Sequence, residues 1–331
     1  MEVLSITTNL GRFGGAQNVL MDVHRGIKDT YKAKILGFQR FDDLLPKYGI
    51  KESEYVRFTD PFYLNNKILI VHARNVMALI MVLKKVFFLN TKILYVAHNV
   101  FDTHRKFSFF PDNIISISKK VTENLLGFFN LKDRNIQLVY NGIKDQRITH
   151  PSRRYRDGNK IIILYSARVN EVKRQLQIVD QLLGKLHSSI EIHFAGSGTD
   201  YPRLSKKCEG SLNFKALGFV ENMPELVANA DYLMLYSTQE GLPISLIEGA
   251  MNGKPLLVND VGGNLEIGVP GLNGFELSEE WETLADTLNK LVYLSPDEYF
   301  QMGQHSRTRY EQMFTYKNMI DSYLKVISTL E

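Results

Sequence analysis

Strand-like and helix-like patterns alternate along the whole chain. Short apolar runs rich in β-branched residues are separated by segments whose apolar residues recur at helical spacing. The strand-like runs lie at 2–8, 92–97, 160–169 and 231–237, and the helix-like segments between them lie at 16–28, 75–89 and 174–186. Alternation of this kind predicts helices packed on parallel sheets, an α/β fold. At 331 residues the chain is too long for one small core, so we predict two α/β units.

Composition narrows the class of protein. The apolar fraction of 44% is ordinary for a globular protein. A single cysteine, Cys208, excludes a disulfide framework within the chain and a cysteine-cluster metal site, and it fits a reducing cytoplasm. The N-terminus opens directly into a strand pattern, so we expect no signal peptide. The longest apolar run, 76–83, is ended by Lys84 and Lys85 and is too short to span a bilayer.

Charge is distributed unevenly between the two halves of the chain. Residues 1–150 hold 22 Lys and Arg against 13 Asp and Glu, whereas residues 151–331 hold 18 against 23. Within 81–120, seven basic residues are interleaved with phenylalanines and only two residues are acidic. This region indicates peripheral contact with an anionic membrane, although a solvated basic face over a phenylalanine-rich core explains it equally well. No recognised nucleic-acid-binding motif appears, so we expect no nucleic acid partner.

The stretch 239–248, QEGLPISLIE, combines features of an anion site with two carboxylates. It follows the strand pattern at 231–237, and Pro243 suits the first turn of a helix. A helix start exposes free N–H groups and therefore favours phosphate. Glu240 would lie in the turn, and Glu248, further along the helix, could accept hydrogen bonds from a diol. The arrangement suits a nucleotide sugar, and an ordinary strand–turn–helix with surface glutamates is equally compatible with this stretch alone.

Other polar residues also follow predicted strands, where ligands bind in doubly wound sheets. Gly14 and Gly15 would let a backbone approach a ligand at a helix start. His98 ends the strand 92–97, and a structural histidine is the alternative reading. Arg168 lies at the end of the strand 160–169 and Lys173 follows it. Both suit phosphate, or else they form a charged helix start.

The stretch 240–266, EGLPISLIEGAMNGKPLLVNDVGGNLE, resembles the donor-binding signature of retaining glycosyltransferases of family 4. It departs from that pattern at Leu242, where the family often has phenylalanine, and at Gly249, where it usually has alanine. The Gly-Gly turn at 14–15, His98, the Arg168/Lys173 pair and the Asn-Gly-Ile turn at 141–143 match further positions of the family.

The resemblance implies a GT-B fold, two Rossmann-like doubly wound domains facing across a cleft. It implies an acceptor-binding domain formed by 1–145 with a C-terminal helix, 316–331, and a donor-binding domain formed by 146–315. The segment 145–159 is polar and basic and contains Pro151 and Gly158, so we predict that it is a linker. The implied catalytic residues are His98, Arg168, Lys173 and Glu240. The implied donor-binding residues are Gly14, Gly15, Arg168, Lys173, Val220, Glu240, Gly241, Leu242, Pro243 and Glu248.

The resemblance further implies transfer of a sugar, with retention, from a UDP- or GDP-linked donor to a glycan or lipid-linked glycan, in bacterial surface polysaccharide synthesis. No Asp-x-Asp cluster appears, so we expect no bound metal and no other cofactor. A GT-B sugar-nucleotide epimerase and a non-catalytic nucleotide-sugar-binding partner remain alternatives. No G-x-G-x-x-G follows the first strand, which argues against a dinucleotide-dependent dehydrogenase.

Overall fold

The computed structural model describes residues 1–11, 14–103, 105, 108–151, 153 and 155–331. The chain divides into two compact units. The first comprises Met1–Gly142 and Tyr316–Glu331, and the second comprises Ile143–Thr315. Each unit is built on one parallel sheet with helices packed on it, which confirms the predicted α/β class.

The first unit contains a sheet whose central strands are buried. Its strands are β1 (Glu2–Ile6), β2 (Ala33–Gly37), β3 (Tyr55–Arg57), β4 (Lys67–Val71), β5 (Lys92–Ala97), β6 (Asn113–Ser116) and β7 (Asn135–Leu138), and its first helices are α1 (Gly15–Ile27), α2 (Arg74–Val86) and α3 (Lys119–Gly127). The strand order is β3-β2-β1-β4-β5-β6-β7. Strands β4 and β5 are almost continuously apolar because helices and loops cover a parallel sheet on both faces.

The second unit repeats this plan. Its strands are β8 (Ile161–Ser166), β9 (Ile190–Ala195), β10 (Phe214–Gly218), β11 (Tyr232–Leu235), β12 (Leu256–Val258) and β13 (Gly274–Glu276). They pair in the order β10-β9-β8-β11-β12-β13. The helices are α4 (Gln175–Leu182), α5 (Tyr201–Cys208), α6 (Met223–Asn229), α7 (Ile244–Met251), α8 (Asn264–Ile267), α9 (Trp281–Lys290) and α10 (Pro296–Met313). The last helix, α11 (Tyr316–Ser328), belongs to the first unit and packs on α1.

Both sheets reverse their strand order at the first strand of the unit. In the first unit the reversal lies between β1 and β4, and in the second it lies between β8 and β11. Because all these strands are parallel, their carboxyl ends meet at one edge of each sheet, and ligands of doubly wound folds bind at that edge beside the reversal. The topology therefore selects the loops after β8 and β11 as the place to look for a site.

The segment 145–159, expected to be a linker, is held on the second unit. Arg153 donates to both carboxylate oxygens of Asp231 at 2.7 Å, and Asp231 also accepts from the Ile162 backbone N–H. The Asp231 side chain is almost fully buried, and the ring of Tyr155 stacks on that of Tyr299. A buried ion pair of this kind is costly to break, because one charge would remain unpaired.

The helix expected over 75–89 ends earlier than predicted. α2 stops at Val86, and Phe88 adopts a left-handed backbone with a φ of 52°. This conformation, which is uncommon for a bulky residue, ends the helix and turns the chain toward β5. No described helix is both long enough and apolar enough to cross a membrane.

Candidate active site

Most of the predicted donor-site residues of the second unit lie at the carboxyl edge of its sheet. The loop after β8 carries Arg168 and Lys173, and the turn after β10 carries Val220. The loop after β11 carries Glu240, Gly241, Leu242 and Pro243, and α7 carries Glu248. Three strands and one helix therefore bring residues up to 80 positions apart to one edge of the sheet.

Lys173 and Glu240 form an ion pair across the strand reversal. The Lys173 ammonium donates to Oε1 of Glu240, which also accepts from the Ser237 hydroxyl at 2.8 Å. Only 20% of the lysine side chain and 9% of the glutamate side chain are exposed. Lys173 is therefore part of a largely buried ion pair. The local sequence was equally compatible with a lysine exposed to solvent at the start of a helix.

A buried hydroxyl group ties these two loops together. The hydroxyl of Tyr165, at the end of β8, lies 2.7 Å from the carbonyl oxygen of Lys173 and 2.9 Å from that of Tyr236. Asn170 accepts from the backbone N–H of Lys173 at 3.2 Å and caps the short 3-10 turn Glu171–Lys173. Sequence reasoning missed both residues. The available signal was a tyrosine inside a buried strand, since a buried hydroxyl needs a partner.

Glycines let two turns approach the site loops closely. Gly262 has a φ of 54°, and a Cβ there would lie 2.3 Å from the carbonyl oxygen of Glu240. Its neighbour Gly263 donates its N–H to the carbonyl of Gly241 at 2.8 Å. In the loop after β9, Cβ atoms at Gly196 and Gly198 would meet backbone oxygens at 2.0 and 2.1 Å. The glycines are therefore required by packing against the loops that carry Arg168 and Glu240.

Glu248 occupies a different environment from Glu240. It is half-buried on α7, and burial raises the pKa of its carboxyl to about 7. Among the described residues, its carboxylate has no hydrogen-bond or ion-pair partner. An unpaired carboxylate in such a place is unfavourable without a ligand. Its oxygens are available to accept hydrogen bonds from ligand hydroxyls.

The start of α7 differs slightly from the prediction. Pro243 has an extended backbone and precedes the helix as its N-cap, and Ile244 is the first helical residue. The shift is one residue, and Pro243 still has no N–H to leave unsatisfied. Gly249, where the resembled family has alanine, packs against the sheet: a Cβ there would lie 2.7 Å from Leu233 and 2.9 Å from Leu256. Close packing of α7 on β11 and β12 explains glycine at this position.

Arg168 and Arg174 differ in their surroundings at this edge of the sheet. Arg168 is exposed, and its backbone carbonyl accepts from the Gln175 side chain at 3.0 Å. Arg174 has a φ of 55°, pairs with Glu279 at 2.5 Å and lies over the rings of Tyr236 and Trp281. We infer that Arg174 supports the loop that carries Arg168.

In the first unit the predicted residues also follow strands. Gly14 is the extended N-cap of α1, and Gly15 opens the helix with no atom within 4 Å of a Cβ built on it. His98 follows β5, and its Nε2 lies 2.9 Å from Nδ1 of His72. Burial lowers the pKa of His98 to about 4 and holds the pKa of His72 well below its usual range. Both imidazoles are therefore neutral near pH 7.

The described residues contain no group of three or more His, Cys, Asp or Glu side chains placed to hold a metal ion.

In the comparison with known proteins, the match to a family model lies within the second unit. The family model for glycosyl transferases group 1 matches residues 146–309. The putative glycosyltransferase EpsD of Bacillus subtilis is 26% identical over 264 residues, covering 70% of this chain and 69% of that protein. The capsular polysaccharide biosynthesis glycosyltransferase CapH of Staphylococcus aureus is 28% identical over 192 residues, covering 55% of this chain and 53% of that protein.

Similarity to solved structures extends over the whole chain. Anabaena HepE in complex with UDP superposes with a TM-score of 0.83 and 18% identity, covering 100% of both chains. The same protein has also been solved with UDP-glucose, with a TM-score of 0.82 and the same identity and coverage. At this identity the similarity concerns the fold, and it confirms the GT-B fold class that the resemblance predicted.

We predict that Gly262→Ala destabilises the protein by about 3 kcal/mol or more. The new Cβ would force the Glu240 carbonyl to move, in addition to the left-handed backbone cost of roughly 1–2 kcal/mol. The control is Gly271→Ala, which shares a left-handed φ of 75° but has open space around it and should show the backbone cost alone. Urea denaturation of both variants measures the difference. Equal losses would mean that the loops tolerate the methyl group.

Proposed function

The chain belongs to the glycosyl transferases group 1 through residues 146–309, and from this premise we propose that it is a retaining glycosyltransferase. Its donor is a nucleotide sugar, and its acceptor is a glycan or a lipid-linked glycan. Relatives named for capsular polysaccharide and O-antigen biosynthesis support a role in bacterial surface polysaccharide synthesis. The second unit binds the donor, and the first unit binds the acceptor.

The observation that carries this proposal is the unpaired carboxylate of Glu248 on α7, the helix that follows a loop suited to bind an anion. Lys173, Arg168 and the start of α7 offer positive charge and free N–H groups at the carboxyl edge of the sheet. Glu248 offers acceptors without a protein partner. A nucleotide sugar has a diphosphate joined to a ribose that carries two hydroxyls, so it complements both features.

We propose a UDP-linked sugar as the donor, because the structurally similar HepE has been solved with UDP and with UDP-glucose. The turn that contains Val220 would contact the base, and Gly241, Leu242 and Pro243 would line the diphosphate side. A thermal-shift screen against nucleotide sugars tests the choice, since a ligand that binds only the folded state stabilises it. The true donor gives the largest shift.

For the chemistry we propose a front-face transfer with retention. The leaving diphosphate gains charge as the glycosidic bond breaks, and Lys173 and Arg168 stabilise that charge. Glu240 holds the Lys173 ammonium in place through their ion pair. We propose that His98 and the backbone at Gly14 and Gly15 bind the donor sugar. The acceptor hydroxyl loses its proton to the leaving diphosphate, so no protein general base is required.

We also propose a cytoplasmic location with peripheral contact between the first unit and an anionic membrane. Exposed apolar residues on and beside one helix support this proposal. In α2, Leu79, Val82 and Val86 are exposed at helical spacing, and Phe88 beyond it is 92% exposed. We call these four residues the α2 apolar face. Residues 61–100 contain five Lys and Arg and no Asp or Glu, so the surrounding charge complements anionic lipids.

The described phenylalanines of 81–120 differ in their exposure. Phe110 is buried against Tyr95 and Phe129. Phe87, Phe88 and Phe109 are exposed, and Phe87 packs edge-on against the exposed ring of Phe62. Residues 104, 106 and 107 lie outside the described part of the chain. The α2 apolar face, close to Lys84 and Lys85, is therefore the part of this region that we assign to the membrane.

Our first prediction here concerns Glu248. A carboxylate must be ionised to accept hydrogen bonds from two ribose hydroxyls, and its pKa is about 7 in the free protein. UDP-glucose lacks the terminal phosphate monoester that ionises near pH 6. Its affinity should therefore rise about tenfold from pH 6 to pH 8, and a proton should be released on binding below pH 7. Calorimetry in buffers of different ionisation enthalpy measures both effects.

Glu248→Gln should weaken binding at pH 8 by about 1.5–3 kcal/mol, the range for a hydrogen bond to a charged group, and abolish the pH dependence. The control, Glu282→Gln, alters an exposed glutamate of the same unit. An unchanged affinity in the Glu248 variant would remove this residue from the donor site.

The second prediction concerns Lys173. The charge on the diphosphate is greater in the transition state than in the bound donor, so Lys173→Ala should lower kcat more than it raises the donor KM. The expected loss in kcat is about 100–1,000-fold. Release of UDP in the presence of acceptor measures it, and Lys207→Ala, which removes the lysine of an exposed ion pair in the same unit, is the control. Near-normal kcat in both Lys173→Ala and Arg168→Ala would contradict the assigned role.

The third prediction concerns the membrane. Replacing Val86 and Phe88 together by serine should reduce binding to phosphatidylglycerol vesicles at least about tenfold, because a buried large apolar side chain contributes about 1.5–3 kcal/mol. Phe300→Ser, which changes an exposed phenylalanine of the second unit, should have no effect. Sedimentation with vesicles at low and high salt measures binding, and binding should weaken at high salt. A wild-type protein that ignores these vesicles at low salt would refute membrane contact.

A further inference from the structure

His72 and His98 lie side by side at the carboxyl edge of the first sheet. Val71 of β4 pairs with Tyr95 of β5, so His72 is level with residue 96 and His98 lies two residues beyond that level. Since side chains on the same face of a strand recur every second residue, both imidazoles point to one side of the sheet. The His72 backbone N–H donates to the carbonyl of Ile6 at 2.9 Å, which fixes the position of His72.

The two rings meet edge to edge. Nδ1 of His72 lies 2.9 Å from Nε2 of His98, while the ring centroids are 5.2 Å apart and the ring planes are inclined by 26°. The centroid separation equals the N···N distance plus roughly one ring radius at each end. This geometry is that of an in-plane hydrogen bond between imidazoles, and it requires a proton on one of the two facing nitrogens.

The environment of His72 decides which nitrogen carries the proton. Nε2 of His72 is buried and has no hydrogen-bond partner among the described residues. A proton there would leave a buried N–H donor without an acceptor, an arrangement that folded proteins strongly avoid. The proton of His72 therefore lies on Nδ1 and is donated to His98. Since His98 then accepts at Nε2, its own proton lies on Nδ1.

We propose that His72 is a positioning residue that holds neutral His98 in the Nδ1–H tautomer, so that His98 offers a hydrogen-bond donor at this edge of the sheet. The partner is an imidazole and not a carboxylate, so nothing in the pair stabilises an imidazolium, unlike the histidine of a catalytic triad. His98 is accordingly suited to donate to an uncharged oxygen, such as a sugar hydroxyl. This consequence rests on the proposed contact between His98 and the donor sugar.

Nitrogen-15 NMR of the full-length, histidine-labelled protein at pH 7.5 tests the tautomer directly, because protonated and bare ring nitrogens have distinct chemical shifts. Signals are assigned with His98→Gln. The expected result is a protonated Nδ1 and a bare Nε2 for His98. A protonated Nε2 on His98 would overturn the proposal, and this result does not depend on which substrate the enzyme uses.

Substitution of His72 tests whether this residue imposes the tautomer. In His72→Phe the donor is lost, and His98 should move to a mixture with substantial protonation at Nε2. His72→Leu removes the same N–H with a smaller side chain and serves if the ring disturbs the sheet. His24→Phe, at another buried histidine of the first unit, should leave the His98 signals unchanged. A His98 tautomer that is insensitive to both His72 variants would overturn the positioning role.

Binding of UDP-glucose and of UDP separates this proposal from the proposed function. His72→Phe and His98→Ala should each weaken UDP-glucose roughly 2- to 12-fold, the range for one neutral hydrogen bond, and leave UDP unchanged. The double variant should lose no more affinity for UDP-glucose than either single variant. Equal losses for UDP and UDP-glucose would overturn the role toward the sugar. Failure of the wild type to bind UDP-glucose would count against the proposed donor, while the NMR result would still decide the tautomer.

Discussion

The ion pair between Lys173 and Glu240 is the interaction on which the candidate site depends. The strands before these residues, β8 and β11, are the neighbours at which the order of the sheet reverses. Beyond the strand ends, the backbone N–H of Thr238 donates to the carbonyl of Val172 at 2.9 Å and joins the two loops. The charged pair and the hydroxyl of Tyr165 add to that connection. Because both side chains are largely withdrawn from water, their attraction is stronger than that of a surface pair, and loss of one partner would leave a poorly solvated charge.

Glu240 and Glu248 differ because only Glu240 has partners for its carboxylate. Glu240 has an ammonium and a hydroxyl as partners, whereas burial acts on Glu248 without compensation and raises its pKa to about 7 from an ordinary value of 4.5. Folding raises the pKa of this carboxyl, so the folded state is favoured when the carboxyl is protonated. This contribution to the stability of the folded protein is fully present below about pH 4.5 and is lost as the pH rises through about 7. The free protein near neutral pH thus retains an unfavourable carboxylate, which a bound diol would relieve. Unfavourable charges of this kind concentrate at functional sites.

The sequence predicted the α/β class from the alternation of strand and helix patterns. It also indicated where Arg168, Lys173 and Glu240 lie along the chain relative to the strands, because each of them stands at or after the end of a strand pattern. It could not predict that Lys173 pairs with Glu240, since the hydrophobic pattern does not specify which loops meet at a strand reversal. Strands β12 and β13 have only three residues each and show no periodicity. The segment 145–159 looked like a linker because its anchors, Asp231 and Tyr299, lie far away in the chain.

The two units place chemically different pairs at the carboxyl edges of their sheets. In the second unit the pair is charged, so a diphosphate can compete with Glu240 for the Lys173 ammonium or share it. In the first unit the pair is His72 with His98, and burial keeps both imidazoles neutral. A neutral donor can form a hydrogen bond with an uncharged hydroxyl without attracting phosphate. Each unit therefore fixes its polar groups before a ligand arrives, and the two pairs differ in the ligand groups that they suit, an anion in the second unit and an uncharged hydroxyl in the first.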